Sequence, residues 1–219
     1  PEPGNDNGVR SISSSLKPDS HTIHTLEWLR EIGKKQVGEA SYKMAIYSMQ
    51  QKDWNKAKKL IVEAVAMEPI NLQYLKYAIH IAYHQHDYKM AEIYLLNVLN
   101  IRGKSLENKP MEKANLLDDL AIIYKAQERL YEARKVIRKS LSISKENREN
   151  QSPKFVERLF RLADLNMRLG DYGEAVLEME QAIQILEKNP NKSSEQEIAK
   201  AYHNIGEIYR FQKYYSNAQ

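Results

Sequence analysis

The chain has 219 residues, of which 42% are hydrophobic and 28% are charged, and its 33 lysines and arginines nearly balance 29 aspartates and glutamates. We expect a folded, soluble protein, because no run of 18 apolar residues is present that could span a membrane. The absence of cysteine excludes disulfides, thiolate zinc sites and cysteine nucleophiles, but leaves a cytoplasmic, periplasmic or secreted location open.

Residues 1–20 are rich in proline, glycine, asparagine and serine, a composition typical of a disordered arm or linker. The sequence starts at Pro1 and contains no basic segment followed by an apolar one. We therefore expect either a mature form or an excised fragment.

A helical pattern begins after this arm. Its apolar residues recur with helical spacing, at Leu26, Leu29 and Ile32. We predict an N-terminal helix over residues 21–37 that packs on the array described next. Gly33 and Gly38 are expected to end this helix or to break it.

Five alanines then recur at similar distances, each just after an aromatic or bulky residue. They are Ala57, Ala91, Ala133, Ala175 and Ala218, and they lie 34, 42, 42 and 43 residues apart. Such spacing is typical of arrays of helix–turn–helix units, in which each unit buries its apolar face on the next. We predict an all-α array over residues 38–219. Its units are residues 38–70, 72–104, 114–147, 156–189 and 199–219, the last of them incomplete.

Small residues are expected where the two helices of a hairpin cross most closely, since a larger side chain there would force the backbones apart. They are Ala45, Ala121, Ala163 and Gly206. The connectors at residues 103–110, 147–153 and 189–194 account for the longer period of the later units.

The residues of the first and fourth units carry a family resemblance. The first unit contains Ser41, Ala45, Trp54, Ala57, Ile61, Ala64 and Pro69, and the fourth contains Leu159, Leu162, Ala163, Gly170, Asp171, Tyr172, Ala175, Met179 and Ala182. This pattern resembles the tetratricopeptide repeat, with units of about 42 residues in the C-terminal half. The resemblance implies a right-handed α-solenoid. The longer units are similar to those of kinesin light chains and of bacterial peptide-sensing regulators.

Catalytic motifs are missing from the sequence. It has no glycine-rich phosphate loop, no GxSxG elbow and no HExxH, so we predict no enzyme and no cofactor. Asp118 and Asp119 are adjacent and point to different sides of a helix; we expect Asp118 to face the groove and Asp119 the neighbouring helix. A basic cluster is formed by Arg134, Lys135, Arg138 and Lys139. We interpret it as a solvated face, with a patch for phosphate or an acidic partner as the alternative, and we predict no nucleic-acid binding.

Two histidines are candidate metal ligands. His80 and His84 are four residues apart and share one helix face, and His86 and Asp87 follow at the turn. No further ligand lies at a fixed spacing, so we predict no metal site and interpret the pair as part of a polar groove.

The resemblance implies a peptide-binding groove on the concave side, formed by the first helix of each hairpin. The predicted groove residues are Tyr42, Ile46, Met49, Lys76, His80, Tyr83, His84, Asp118, Ile122, Phe160, Asp164, Arg168, Lys200, His203 and Glu207. The N-terminal half of this set is aromatic and apolar, whereas the C-terminal half carries both charges. The set of residues with which some members of the family bind a C-terminal carboxylate is absent. Binding of a ligand carboxylate near Arg161 and Lys200 is kept as an alternative.

The expected function is a non-catalytic scaffold that binds a peptide or helix of a partner protein in this groove. The alternative is a ligand- or peptide-sensing regulatory domain that controls an effector beyond the C-terminal end. Self-association through the incomplete last repeat is a further expectation.

Overall fold

The structure is a computed structural model that describes residues 20–188 and 192–216. Within these residues it is built from helices and contains no strand. The helices are α1 (Ser20–Gln50), α2 (Trp54–Met67), α3 (Leu72–His84), α4 (Tyr88–Ile101), α5 (Gly103–Glu107), α6 (Pro110–Ala126), α7 (Leu130–Glu146), α8 (Pro153–Leu169), α9 (Tyr172–Lys188) and α10 (Lys192–Ser216). None of the described helices is long and apolar enough to cross a membrane.

The helices pack in chain order. α1 pairs with α2, α3 with α4, α6 with α7 and α8 with α9, and each pair also packs on the next one. Buried alanine, leucine and isoleucine side chains fill the space within and between the hairpins. This arrangement is an all-α solenoid of tandem hairpins, as the alanine repeat predicts.

The four hairpins turn in the same way. One residue in each turn has a left-handed backbone, at Lys52, His86, Glu128 and Gly170. The next residue donates its backbone N–H to the carbonyl five positions earlier, as Asp53 does to Ser48 at 2.9 Å and Asp171 does to Asn166 at 2.8 Å. This bond satisfies a carbonyl at the end of the first helix and fixes the direction in which the second helix leaves.

Three of the four predicted small contact residues lie at helix crossings. Ala45, Ala121 and Ala163 are buried in the cores of their hairpins. The prediction is wrong for Gly206, which is exposed and has no atom within 4 Å of the place where a Cβ would stand. The reason is that α10 continues as a helix to Ser216 without a hairpin turn. Ala218, the last repeat alanine, lies outside the described residues.

The two glycines in α1 do not interrupt it, contrary to our expectation, because the helix runs through both. Gly38 is buried, and a Cβ there would lie 3.1 Å from the Cβ of Met67. Its role is therefore to let α1 approach α2 closely. Trp28 and Leu29, near the start of the helix, are 58% and 52% exposed, so these two side chains do not cover the first hairpin.

The boundaries of the predicted units stay a prediction, and the predicted arm lies outside the described residues except for Ser20. The connector at residues 103–110 contains the short helix α5, whose Leu106 is buried. The helices of the third and fourth hairpins have 17 residues each, whereas those from α2 to α4 have 13 or 14.

Candidate functional site

Three cavities lie along α3, α6 and α8, the first helices of the second, third and fourth hairpins. The first has a volume of about 530 Å³ and lies between α3, α4 and α6. The second, also about 530 Å³, lies between α3, α6 and α8. The third, of about 600 Å³, lies between α8, α9 and α10, and Lys125 of α6 also borders it.

Neighbouring cavities share their walls. Tyr83 and Ile122 line both the first and the second cavity. Lys125, Arg161 and Asp164 line both the second and the third. The three cavities therefore adjoin one another, and we call the row that they form along α3, α6 and α8 the groove.

The first cavity has mainly apolar walls. They consist of Leu72, Ile79, Tyr83, Leu95, Val98, Leu116, Ile122 and Ile123. Its polar residues are Gln73, Lys76, His80, Arg102 and Asp119. The first cavity can thus remove a large apolar side chain from water.

The second cavity is charged, and its charges are paired with one another or with nearby residues. Lys125 lies 2.6 Å from Asp164, and Arg168 lies 2.5 Å from Glu128. Arg161 pairs with Glu157 of its own helix at 2.5 Å. Two of these ion pairs link α8 to the preceding hairpin across the groove.

The structure places about half of the predicted groove residues in its walls. Those that line at least one cavity are Lys76, His80, Tyr83, Ile122, Phe160, Asp164 and Arg168. All of them lie on the second, third and fourth hairpins. Sequence reasoning missed the contribution of α4 and α9, because it assigned the groove to first helices alone.

The first hairpin contributes no residue to the three cavities. Tyr42 packs on Tyr74 with ring centroids 4.9 Å apart, and its hydroxyl accepts a hydrogen bond from Gln73 at 3.0 Å. Met49 packs against the same core, and Ile46 is half-buried. Tyr42 and Met49 therefore pack within the solenoid.

The fifth segment also lies away from the cavity walls at the predicted positions. Lys200 and His203 are exposed, and Glu207 pairs with Arg210 at 2.5 Å. The residues of α10 that line the third cavity are Ser194 and Glu197, about one helical turn earlier.

The structure brings His80 and His84 onto one helix face, but aromatic contacts occupy them. His84 stacks on Trp54 with ring centroids 3.7 Å apart, and the two histidine rings are 6.3 Å apart. In the described part of the chain, no group of three histidine or carboxylate side chains could hold a metal ion.

The basic cluster on α7 is partly paired. Arg134 forms an ion pair with Asp171, and Arg138 lies 3.9 Å from Glu174, so two of its four charges contact the fourth hairpin. Lys135 and Lys139 are exposed.

The predicted orientations of Asp118 and Asp119 are wrong, because the two side chains point the other way round. Asp118 is only 7% exposed and faces the neighbouring helices, where the guanidinium of Arg158 donates to both of its carboxylate oxygens. Ser140 donates a further bond to Asp118 at 2.6 Å. Since adjacent residues on a helix point about 100° apart, Asp119 faces the groove instead.

Asp119, in the first cavity, differs from the charged residues of the second cavity. It is exposed, and among the described residues it makes no hydrogen bond or ion pair. Its carboxyl has a raised pKa, because the surrounding protein displaces water from it and the negative charge of Asp118 lies beside it. A carboxylate in such a place gains from an added positive charge.

Two family models match this sequence. A tetratricopeptide repeat model matches residues 112–188, and another matches residues 199–219. No curated protein matches the sequence at a significant level.

Solved structures of repeat proteins are similar in fold. A Podosopora anserina putative kinesin light chain with nearly identical TPR-like repeats is 20% identical, with a TM-score of 0.63 over 84% of this chain and 93% of that chain. BtubC (BKLC) from P. vanneervenii is 17% identical, with a TM-score of 0.62 over 85% of this chain and 77% of that chain. MamA from Desulfovibrio magneticus RS-1 is 16% identical, with a TM-score of 0.55 over 78% of this chain and 87% of that chain.

At these identities the likeness shows the fold alone. Together with the two family models and the four hairpins, it leads to one conclusion. The described helices form a solenoid of the tetratricopeptide repeat type, and family models place such repeats at residues 112–188 and 199–219.

Proposed function

We propose that this protein is a non-catalytic scaffold whose groove binds a peptide or helical segment of a partner protein. The observation that carries the proposal is that the three cavities adjoin one another, with Tyr83, Ile122, Lys125, Arg161 and Asp164 common to two of them. A row of adjoining cavities along α3, α6 and α8 suits an elongated ligand better than a compact one.

The distribution of polarity along the groove supports the same proposal. The first cavity offers an apolar surface for an anchoring side chain, and the second offers charges of both signs. Apolar anchors supply most of the affinity in such complexes, whereas charged residues at the rim mainly select the partner. The groove has both parts.

The absence of cysteine makes a direct test simple, since one introduced cysteine is the only thiol in the chain. Peptides are selected from a random phage-displayed library on the immobilised protein. Variants Lys76→Cys and Lys59→Cys are then labelled with a photocrosslinker and mixed with the selected peptide. Both lysines are exposed, but only Lys76 lines the groove.

We expect the peptide to crosslink through residue 76 and not through residue 59. Equal crosslinking at both positions, or no enrichment of any peptide, would contradict groove binding. Melting temperatures of the two labelled variants serve as the control for folding.

A further inference from the structure

The charged residues of the first two cavities fall into two sets. Arg102, Lys125, Arg161, Asp164 and Arg168 already form ion pairs within the protein. Lys76 on α3 and Asp119 on α6, which both line the first cavity, form none among the described residues. A charged group of a ligand would have to compete with an existing partner in the second cavity, but not at Asp119 or Lys76 in the first.

The two unpaired charges are not equivalent. The long side chain of Lys76 lets its ammonium group extend into water, so it needs no partner. Asp119 has a short side chain, which holds its carboxylate at the apolar wall close to Leu116, Ile122 and Ile123 on the same helix. A carboxylate that is partly removed from water is stabilised strongly by a hydrogen-bonding cation.

Two cations of α8, Arg161 and Lys154, act on the Asp119 carboxylate through space, but both form their ion pair with Glu157. Asp118, beside Asp119, pairs with Arg158. Removal from water, with the negative charges of Asp118 and Glu157, raises the pKa of the Asp119 carboxyl more than Arg161 and Lys154 lower it. The first cavity therefore combines an apolar space with an acceptor that the protein itself leaves unused.

We propose that the first cavity takes a bulky apolar side chain of the partner segment, while Asp119 accepts hydrogen bonds from a lysine or arginine of the same segment. This inference rests on the proposed function. It assigns the groove a preference for apolar segments that carry a basic residue, and it makes Asp119 the residue that determines that preference.

The test uses the full chain and the phage-selected peptides. Selection on the unchanged protein should enrich peptides in which a bulky apolar residue accompanies a lysine or arginine. One such synthetic peptide should bind the Asp119→Asn variant about tenfold more weakly, which corresponds to losing a charge-assisted hydrogen bond. It should bind the Lys76→Gln variant with nearly the same affinity, which is the matched control on another helix of the same cavity.

A charge exchange separates direct contact from an indirect effect. The Asp119→Lys variant should reject the basic peptide and bind a peptide in which glutamate replaces the basic residue. Because Asp119 is exposed and makes no internal bond, both variants should fold as the parent does, which circular dichroism checks.

The possible failures can be distinguished. Peptides that crosslink at residue 76 but lack a basic residue, or that bind Asp119→Asn unchanged, overturn this inference and leave groove binding intact. If no peptide is enriched, both proposals fail.

Discussion

Arg158 and Asp118 lie 40 residues apart in the chain and form a buried ion pair between the third and fourth hairpins. The guanidinium is 1% exposed and also donates to Ser144 and Asn115, both at 2.8 Å. This network fixes α8 against α6 and α7, and it turns Asp118 away from the groove. Asp118 is thus a structural residue, whereas Asp119, its neighbour in the sequence, is available to a ligand.

Replacing Arg158 with Met should destabilise the protein by about 3–5 kcal/mol, because Asp118 is then left buried without its cation. The double variant Asp118→Leu, Arg158→Met should recover much of this loss. Urea unfolding measures both, with Arg161→Met as a control at a more exposed ion pair. A single variant as stable as the parent would show that the network does not hold the two hairpins together.

Replacing Ala163 with Leu should cost about 1–3 kcal/mol, since Ala163 is fully buried in the same core as Ala175 and Met179. Ala66→Leu, at an exposed position on α2, is the control and should change stability little. Thermal unfolding of the two variants makes the comparison. An unchanged melting temperature for Ala163→Leu would place the helix crossing elsewhere.

Replacing Gly206 with Ala should stabilise the protein by about 0.5–1 kcal/mol, because an exposed glycine inside a helix costs backbone entropy. Space for the new methyl group is open at this position. Denaturant unfolding of the variant measures the change, with Gly33→Ala, which is equally open, as a parallel case. Destabilisation at Gly206 would instead support a close crossing with a second helix.

Alanine substitutions of the two tyrosines predicted for the groove should have different effects on stability and on peptide binding. Tyr42→Ala should lower the melting temperature, because it removes packing on Tyr74 and Tyr77. Tyr83→Ala should lower it less, because Tyr83 is 39% exposed and loses an edge contact with Tyr88, and it should weaken peptide binding, because Tyr83 lines two cavities. Calorimetry and fluorescence titration of both variants test this. The same loss of stability in both would make Tyr83 a packing residue.

Glu178 predicts a dependence of stability on pH. Burial raises the pKa of its carboxyl to about 7 in the folded protein, although Asn166 donates a hydrogen bond to it at 2.8 Å. The folded chain binds this proton more tightly than the unfolded chain, in which the pKa of the carboxyl has its ordinary value of 4.5. Stability contributed by this group is therefore full at low pH and is lost as pH rises through 7.

The variant Glu178→Gln keeps an acceptor for Asn166 and cannot ionise. Its free energy of unfolding, measured in urea, should rise relative to the parent between pH 5 and pH 8. Glu180→Gln, an exposed neighbour, should show no such trend. A constant difference between parent and Glu178→Gln across this range would show that Glu178 does not titrate on folding.

The hairpin architecture follows from the sequence because a small residue is needed wherever two helices cross closely. Ala57, Ala91, Ala133 and Ala175 are all buried, and this regularity is visible without a structure. Gly206 fits the same spacing but lies on an exposed face. Spacing identifies the position in the repeat, but it does not show whether a second helix is there to fill it.

The groove was harder to predict for two physical reasons. The orientation of Asp118 depends on a partner 40 residues away, and Arg158 carries no local sign of burial, since Glu157 and Arg161 lie close to it in the sequence. Aromatic side chains of the first hairpin can either face a ligand or pack on one another, and Tyr42 and Tyr74 do the latter. The regulatory role, self-association and the length of the later units stay predictions.

The packing of helices in chain order has a mechanical consequence. Each hairpin is held by its neighbours alone, and no described helix returns to tie the two ends together. A force applied to the ends would therefore detach hairpins one after another, starting with whichever terminal pair is weakest. The resistance to pulling would be highest at the junction of the third and fourth hairpins, where Arg158 and Asp118 join them.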